Sequence, residues 1–322
     1  MTLKRATLLL SIVIVVFAPV GCRSGEAERT DEPSSQTAAD DGAERRPDPV
    51  VVEVTVEDFA FVAPPEVRSG WNTFRMKNEG EQPHFLLLWR LPEGAIFDDW
   101  ATAVAQPFQQ EYDRYTAGQV NATEMMAAIE GFLPEWFGEV QGMGGVGLTA
   151  AGRTAQATTL LEPGNYVMEC YVLSDEAQFH GTLGMLRPLI VTTEATGMSA
   201  PEADVRITLS NYQMTIEGEP GAGEQTIAVH TTEDPEGLVG HDVHLARLDP
   251  ETPIEEVVTW MSWVDEMRPP APAEFLGGAE HVSAGRTGYF TVALEPGRYA
   301  WISEGYADKG MVQEFVIEGA GI

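Results

Sequence analysis

The chain has 322 residues, of which 43% are apolar, so it is long enough for two domains with ordinary cores and lacks the composition of a disordered protein. Its 19 Lys and Arg residues face 50 Asp and Glu residues, which gives a formal net charge of -31 at pH 7. This charge repels polyanions, so nucleic-acid-binding functions are excluded.

The first 22 residues have the pattern of an export signal. Two basic residues precede an apolar run over residues 6–18, which is too short to span a bilayer comfortably. Cys22, preceded by glycine, then resembles the cysteine of a bacterial lipobox, although Pro19 stands where such motifs usually have Leu. The resemblance implies a mature protein anchored by lipid to a bacterial membrane, on the periplasmic or cell-surface side. An ordinary cleaved secretory peptide is the alternative.

Residues 23–49 contain no large apolar residue and are rich in Glu, Asp, Ser, Ala, Gly and Pro, so we predict a disordered tether. A flexible chain of this length has an r.m.s. reach of roughly 30 Å. Beyond Cys22 the sequence has one further cysteine, Cys170. If Cys22 carries lipid, no internal disulfide can form, and Cys170 is either a buried apolar residue or is protected by metal ligation.

The remaining sequence is duplicated. The motifs AGRT at residue 151 and LEPGNY at residue 161 recur 133 positions later as AGRT and LEPGRY. The segment HFLLLWRL at residue 84 recurs 157 positions later as HDVHLARL, so repeat one carries an insertion of 24 residues. We therefore expect one domain over residues 50–196, with the insertion, and a second over residues 203–319.

Both repeats have mainly the signals of strands. Each opens with alternating apolar and polar residues, over residues 52–57 and 205–209, which predicts half-buried strands. Pro-Gly and Asn-Glu-Gly turns separate the strands that follow. This pattern favours an all-β chain of two tandem Greek-key β-sandwiches with short helical insertions.

Helix signals occur at equivalent places in the two repeats. In repeat one, Asn121 and Glu124 precede an apolar run and predict a capped helix. In repeat two, Thr252 and Glu255 form a capping-box pattern with Pro253 at the first helical position. The glycine-rich segment 142–145 has neither a Lys nor a following helix signal, so we interpret it as a flexible turn.

Four potential metal ligands of repeat one occur in a distinctive order. His84 ends a turn that begins at Asn78, Cys170 ends a predicted strand, and His180 and Met185 close the next loop. This order resembles that of the cupredoxins, or blue copper proteins, whose ligands are a His after an Asn-x-Gly-like turn, followed by Cys, His and Met around one loop.

The resemblance covers about residues 51–196, with the second repeat a weaker relative. It implies cupredoxin-like sandwiches, one type 1 copper ion per chain held by the four ligands, and one-electron exchange with redox protein partners. Nine residues separate Cys170 from His180, more than in small plastocyanin-like carriers.

The chemistry of the four residues supports the same interpretation. Two imidazoles and a thiolate in one plane, with a weak axial thioether, suit both Cu(I) and Cu(II), so the ion changes oxidation state with little rearrangement. Ligating histidines also need partners that fix their tautomer, and we expect Asn78 to contribute by tying the turn of His84 to the strand of Cys170. Two alternatives stay open: a sandwich that has lost its metal, and one that binds another ion such as zinc.

Repeat two lacks this ligand set. Cys170 corresponds to Ser303 and Met185 to Met311, with seven residues missing between them, and the second histidine is missing as well. His241 remains at the place of His84, but it has no thiolate to join. We therefore interpret repeat two as a structural or docking domain.

The histidine count limits the enzymatic functions open to the chain. Four of the six histidines lie outside the proposed site: His230, His241, His244 and His281. None of these four forms the His-x-His pairs that an oxygen-reducing trinuclear copper cluster needs, so a cluster of this kind is excluded. A two-copper enzyme assembled between subunits from His241 and His244 stays open. We predict a membrane-tethered electron carrier that is not an enzyme. The alternatives are copper storage or delivery, and a structural lipoprotein without metal.

Overall fold

A computed structural model describes residues 50–319, apart from residues 237, 239, 263, 265 and 266. The export signal, Cys22 and the tether lie outside the described residues, so all three remain predictions. Within the part that is described, no helix combines the length and the apolar character needed to cross a membrane.

Each repeat contributes eight β-strands. In repeat one they are β1 (Val51–Glu57), β2 (Ala60–Val62), β3 (Glu66–Asn78), β4 (His84–Arg90), β5 (Gln141–Thr149), β6 (Thr154–Leu161), β7 (Gly164–Glu169) and β8 (Leu186–Ala195). In repeat two they are β9 (Val205–Ser210), β10 (Gln213–Glu217), β11 (Gly223–Thr231), β12 (Val243–Leu248), β13 (Glu274–Ala279), β14 (Thr287–Leu294), β15 (Gly297–Ile302) and β16 (Val312–Ile317). The predicted all-β chain of tandem sandwiches is confirmed.

The strands form two layers that run through both repeats. In one layer β1, β3 and β6 continue into β14, β11, β9 and β10, and in the other β8, β7, β4 and β5 continue into β13, β12, β15 and β16. The long strand β3 belongs to both layers, because its first residues pair with β8 and its later residues pair with β1 and β6. The alternating valines of β1 are buried against the core between the layers.

The two repeats meet edge to edge through equivalent strands. β5 pairs antiparallel with β13, and β6 pairs antiparallel with β14. Val146 lies opposite Ala279 and Ala157 lies opposite Phe290, and both pairs are separated by the repeat offset of 133. An approximate two-fold axis therefore relates the repeats. The pairing covers one edge each of β5, β6, β13 and β14, which would otherwise be open to pairing with another chain.

The insertion of repeat one is helical and covers the outer face of β4. It contains α1 (Phe97–Trp100), a π-helical turn (Ala101–Ala105), α2 (Gln106–Thr116), α3 (Ala122–Phe132) and a 3-10 turn (Glu135–Glu139). The ring of Trp100 lies 5.4 Å from that of Trp89 on β4 and 5.8 Å from that of Phe137. β4 is consequently buried on both faces.

Three local predictions can be compared with the structure. Helix α3 begins at the predicted capping box, with Asn121 and Glu124 bonded to each other's backbone N–H groups. Helix α5 (Ile254–Trp260) exists, but its N-cap is Pro253 in an extended conformation, so the predicted capping box at Thr252 is wrong. The flexible turn at residues 142–145 is also wrong. These residues lie inside β5, where a Cβ on Gly145 would come within 1.8 Å of the Leu86 carbonyl oxygen.

The remaining helical pieces are short. Helix α4 (His180–Leu183) lies in repeat one, before β8, and a 3-10 turn (Ala307–Lys309) occupies the equivalent place before β16 in repeat two. Met185 follows α4 and Met311 follows the 3-10 turn, so the loops before β8 and β16 both end at a methionine.

Candidate metal centre

The four predicted ligands lie at the ends of the strands and helices of repeat one. His84 is the first residue of β4, Cys170 follows β7, His180 opens α4, and Met185 precedes β8. All four side chains are fully buried. Two backbone hydrogen bonds close the loop, from Cys170 N–H to the Met185 carbonyl at 3.1 Å and from Met185 N–H to the His180 carbonyl at 2.9 Å. The fold thus brings together the start of β4, the end of β7 and the loop that contains α4, with Met185 next to the other three residues.

Both imidazoles present Nδ1 to the cysteine sulfur. The Nδ1 atom of His84 lies 3.9 Å from the Sγ atom of Cys170, and that of His180 lies 3.6 Å from it. Bonds of about 2.3 Å to sulfur and about 2.0 Å to nitrogen, roughly 120° apart, place the two ligand atoms roughly 3.7 Å from each other. The three side chains therefore fit around one ion, and this His–Cys–His group with Met185 beside it matches a type 1 copper site.

Two acceptors fix the other nitrogen of each ring. Nε2 of His84 lies 2.6 Å from Oδ1 of Asp58, and Nε2 of His180 lies 3.0 Å from Oε1 of Gln82. Because these oxygens accept a hydrogen bond, the proton of each neutral imidazole is on Nε2, and the Nδ1 lone pair is free for a metal. Asp58 and Gln82 were missed in the sequence. Gln82 lies two residues before His84 and could have been suspected, whereas Asp58 lies 26 residues away.

The buried surroundings keep the ligands neutral in the absence of a metal. Burial lowers the pKa of His180 to about 3, helped by the neighbouring His84. Burial also lowers the pKa of His84, and this effect outweighs the opposite effect of Asp58. Burial raises the pKa of the Cys170 thiol well above its ordinary value. The thiol therefore stays protonated until a cation displaces its proton, which is how metal binding generates a thiolate ligand.

Asn78 supports the turn of His84, but by a different route from the predicted one. Its side-chain amide donates to the carbonyl oxygens of Gln82 at 2.8 Å and Thr149 at 2.9 Å, and its Oδ1 accepts from Gly80 N–H at 3.0 Å. Thr149 belongs to β5, which pairs with β4. The Asn78 side chain therefore connects the turn of His84 to β5 and not to the strand of Cys170, because β5 is the strand that lies next to this turn.

The long loop between Cys170 and His180 contacts repeat two. Leu173 N–H donates to the Met267 carbonyl at 3.0 Å, and the Tyr171 hydroxyl donates to Oε2 of Glu304 at 3.2 Å. The additional residues therefore connect the candidate metal centre to the second repeat.

In repeat two, the equivalent position is occupied by different side chains. Ser303 N–H donates to the Met311 carbonyl at 3.0 Å and Met311 N–H donates to the Tyr306 carbonyl at 3.2 Å, as Cys170, Met185 and His180 do in repeat one. Tyr306 thus takes the place of His180, and its ring lies 5.4 Å from that of the buried His241.

No family model and no curated protein matches this sequence. Among solved structures, the chain is similar to auracyanin A, a blue copper protein from Chloroflexus aurantiacus, with 21% identity over 45% of this chain and 99% of the other and a TM-score of 0.27. It is similar to auracyanin from Roseiflexus castenholzii, with 20% identity over 44% and 97% and a TM-score of 0.25. It is also similar to a multicopper oxidase, with 13% identity over 83% and 88% and a TM-score of 0.22.

Proposed function

We propose that the chain is an exported, lipid-anchored electron carrier in which repeat one binds one copper ion through His84, Cys170, His180 and Met185. The observation that carries this proposal is the convergence of two Nδ1 atoms on the Cys170 sulfur, at 3.6 and 3.9 Å, with each ring held through its opposite nitrogen. Such a ligand set stabilises both copper oxidation states.

A copper ion bound there supplies a reversible one-electron couple. The residues around it keep the ligands in one arrangement: Asp58 and Gln82 orient the two rings, and the Cys170–Met185 backbone hydrogen bond holds the loop closed. Full burial of all four ligands excludes water from the site. Little has to move when the oxidation state changes, and this favours fast electron exchange with a partner over storage of the ion.

Spectroscopy of the copper-loaded full-length chain tests this function. A carrier shows intense visible absorption, a Cu(II) paramagnetic-resonance signal from one equivalent of copper per chain, and a reversible one-electron wave in voltammetry. Tight Cu(I) binding with unstable Cu(II) would instead indicate storage or delivery, and the absence of copper binding would indicate a structural protein. Two equivalents with similar affinity and spectra would show that repeat two also forms such a site.

The proposed carrier has no catalytic reaction of its own. This is tested by following oxygen consumption by the copper-loaded chain in the presence of an excess of a one-electron reductant. A carrier takes one electron per chain from the reductant, which converts Cu(II) to Cu(I), and does not sustain oxygen consumption. Sustained oxygen consumption would identify an oxidase and contradict the proposal.

The proposed anchor depends on Cys22. We expect Cys22→Ser to move the protein from the membrane fraction to the soluble fraction, because lipid can no longer be attached. Cys170→Ser serves as the control and should leave the protein in the membrane fraction. Continued membrane association of the Cys22 variant would contradict lipid anchoring at this residue.

A further inference from the structure

A cavity of about 90 Å³ lies between the helical insertion of repeat one, the outer face of β4 and the border of repeat two. Five aromatic rings line it: Trp89, Trp100, Phe108, Phe137 and Phe179. Its volume equals that of about three water molecules in the liquid, at roughly 30 Å³ each. A ligand of about four or five non-hydrogen atoms therefore matches this space.

One carboxyl group faces the cavity. Glu169, the last residue of β7, is 7% exposed, and Nε1 of Trp89 donates to its Oε2 at 2.7 Å. Nε1 of Trp100 faces the same carboxyl group, but without the geometry of a hydrogen bond. Among the described residues no group donates to Oε1, which lies beside Gly181, where a Cβ would come within 3.4 Å of it. Glu169 thus offers an unpaired acceptor to a ligand in the cavity.

The fold does not require a carboxyl group at this place. At the repeat offset of 133, Glu169 corresponds to Ile302 on β15, and at the offset of 157, Trp89 corresponds to Ala246 on β12. Both residues of repeat two are fully buried. A buried carboxyl group costs free energy unless its hydrogen bonds are satisfied, whereas the apolar pair of repeat two has no such cost. The carboxyl group of repeat one therefore indicates a ligand that donates to it.

The charges around Glu169 indicate the sign of that ligand. None of the residues that line the cavity is Lys or Arg. The imidazole of His281, which repeat two contributes to the wall, is uncharged at neutral pH because burial lowers its pKa to about 4. Burial raises the pKa of Glu169 to about 7, and a cation in the cavity would lower it again by stabilising the carboxylate. An anion would face this carboxyl group without any counter-charge.

The hydrogen-bonding groups of the wall also favour a donor. Three donors that border the cavity are already engaged: Nε1 of Trp89 with Glu169, the Tyr171 hydroxyl with Glu304, and the Thr182 hydroxyl with the Phe179 carbonyl oxygen. The Oε1 acceptor and the aromatic rings are left for a ligand. Carboxylates and the faces of aromatic rings both attract cations.

We propose that this cavity binds a small organic ammonium ion, the protonated form of a short primary amine. Its N–H groups donate to Oε1 of Glu169, and its apolar part packs against the aromatic rings. The net charge of -31 attracts such ions to the chain. Glu169 and Cys170 are consecutive and point to opposite sides of β7, so the cavity is separate from the copper site. The proposal does not depend on copper binding.

Isothermal titration calorimetry of the metal-free full-length chain tests the proposal. An amine-free buffer at about 0.15 M salt screens the exposed charges. Three probes of similar shape are compared: propylammonium, propan-1-ol and propanoate. We expect one propylammonium ion per chain, binding of propan-1-ol that is about tenfold weaker or less, and no binding of propanoate. Glu169→Gln keeps the shape of the side chain, and it should lower propylammonium affinity about 10–100-fold without changing propan-1-ol affinity.

The matched control is Glu176→Gln, which removes an exposed carboxylate from the loop between Cys170 and His180. It should bind all three probes like the unsubstituted chain. Ala105→Leu enlarges a side chain of the cavity wall and should weaken the binding of both propylammonium and propan-1-ol. Thermal melting shows whether each variant is folded.

Three results would overturn the proposal. They are an unsubstituted chain that does not bind propylammonium, equal affinities for propylammonium and propan-1-ol, and equal effects of Glu169→Gln and Glu176→Gln on propylammonium affinity. Unchanged binding in a folded Ala105→Leu variant would likewise place the bound ion outside this cavity.

Discussion

The two repeats share one backbone arrangement at the candidate copper position but differ in the side chains that occupy it. The equivalent pairs are His84 and His241, Cys170 and Ser303, His180 and Tyr306, and Met185 and Met311. In both repeats, the same two backbone hydrogen bonds close the loop that ends at the methionine. The sandwich therefore forms this loop with or without metal ligands. Copper binding depends on the few ligand side chains that repeat one carries at these positions and not on a different backbone.

Repeat two fills the same space with aromatic rings. The ring of Tyr306 lies 5.4 Å from His241 and 5.1 Å from Tyr212, and Nζ of Lys309 lies 4.1 Å from the centre of the Tyr212 ring. Cation–π and aromatic contacts stabilise such a cluster without any metal. This comparison indicates that repeat two stabilises the equivalent position by packing of side chains, without a ligand set.

The largest difference between the repeats should follow from the cysteine. Cys170→Ser removes the thiolate whose bond to copper produces the visible absorption, so we expect the coloured band to disappear even if some metal remains. Ser303→Ala, the equivalent change in repeat two, should leave the spectrum unchanged. Visible absorption of both copper-loaded variants measures this, and a wild-type band in Cys170→Ser would place the site elsewhere.

The packing contrast can be tested at the position of the second histidine. Tyr306→Ala should lower the free energy of unfolding of the metal-free protein by about 3 kcal/mol, because a large buried ring is removed. His180→Ala should lower copper affinity and alter the visible spectrum. Urea unfolding and copper titration of both variants give the two quantities. A Tyr306 variant as stable as the wild type would show that the rings contribute little to repeat two.

Residues that orient the copper ligands should have an intermediate effect. Asp58→Ala and Gln82→Ala each remove the acceptor that fixes one ring, so copper affinity should fall about 10–100-fold while the site keeps its colour. Glu57→Gln, an exposed neighbour of Asp58, is the control and should bind copper normally. Competition with a copper chelator provides the affinities. Unchanged affinity in both alanine variants would mean that the rings are held by their packing alone.

The smallest effect should come from the methionines. Met185→Leu removes a weak donor to Cu(II), so the site should stay coloured and its potential should rise by about 59 mV for each tenfold loss of Cu(II) affinity relative to Cu(I). Met311→Leu in repeat two should leave the potential unchanged. Voltammetry distinguishes the two, and a lower potential in the Met185 variant would argue against an axial thioether.

The sequence by itself determined the duplication, the strand-rich sandwich architecture and the order of the four candidate ligands. These features are local: alternation in β1 marks its buried face, and Cys170, His180 and Met185 lie within one loop whose spacing is visible in the chain. The capped helix α3 was equally visible, because both capping residues lie within three positions of each other.

Only the tertiary structure decided which side chains complete each site. Asp58 reaches His84 across 26 residues, and Tyr306 takes the place of His180 despite a loop seven residues shorter. Such contacts depend on how distant strands are paired and which faces they turn toward each other. Neither the spacing of residues nor their periodicity contains this information, because pairing between strands is settled by the packing of the whole sandwich.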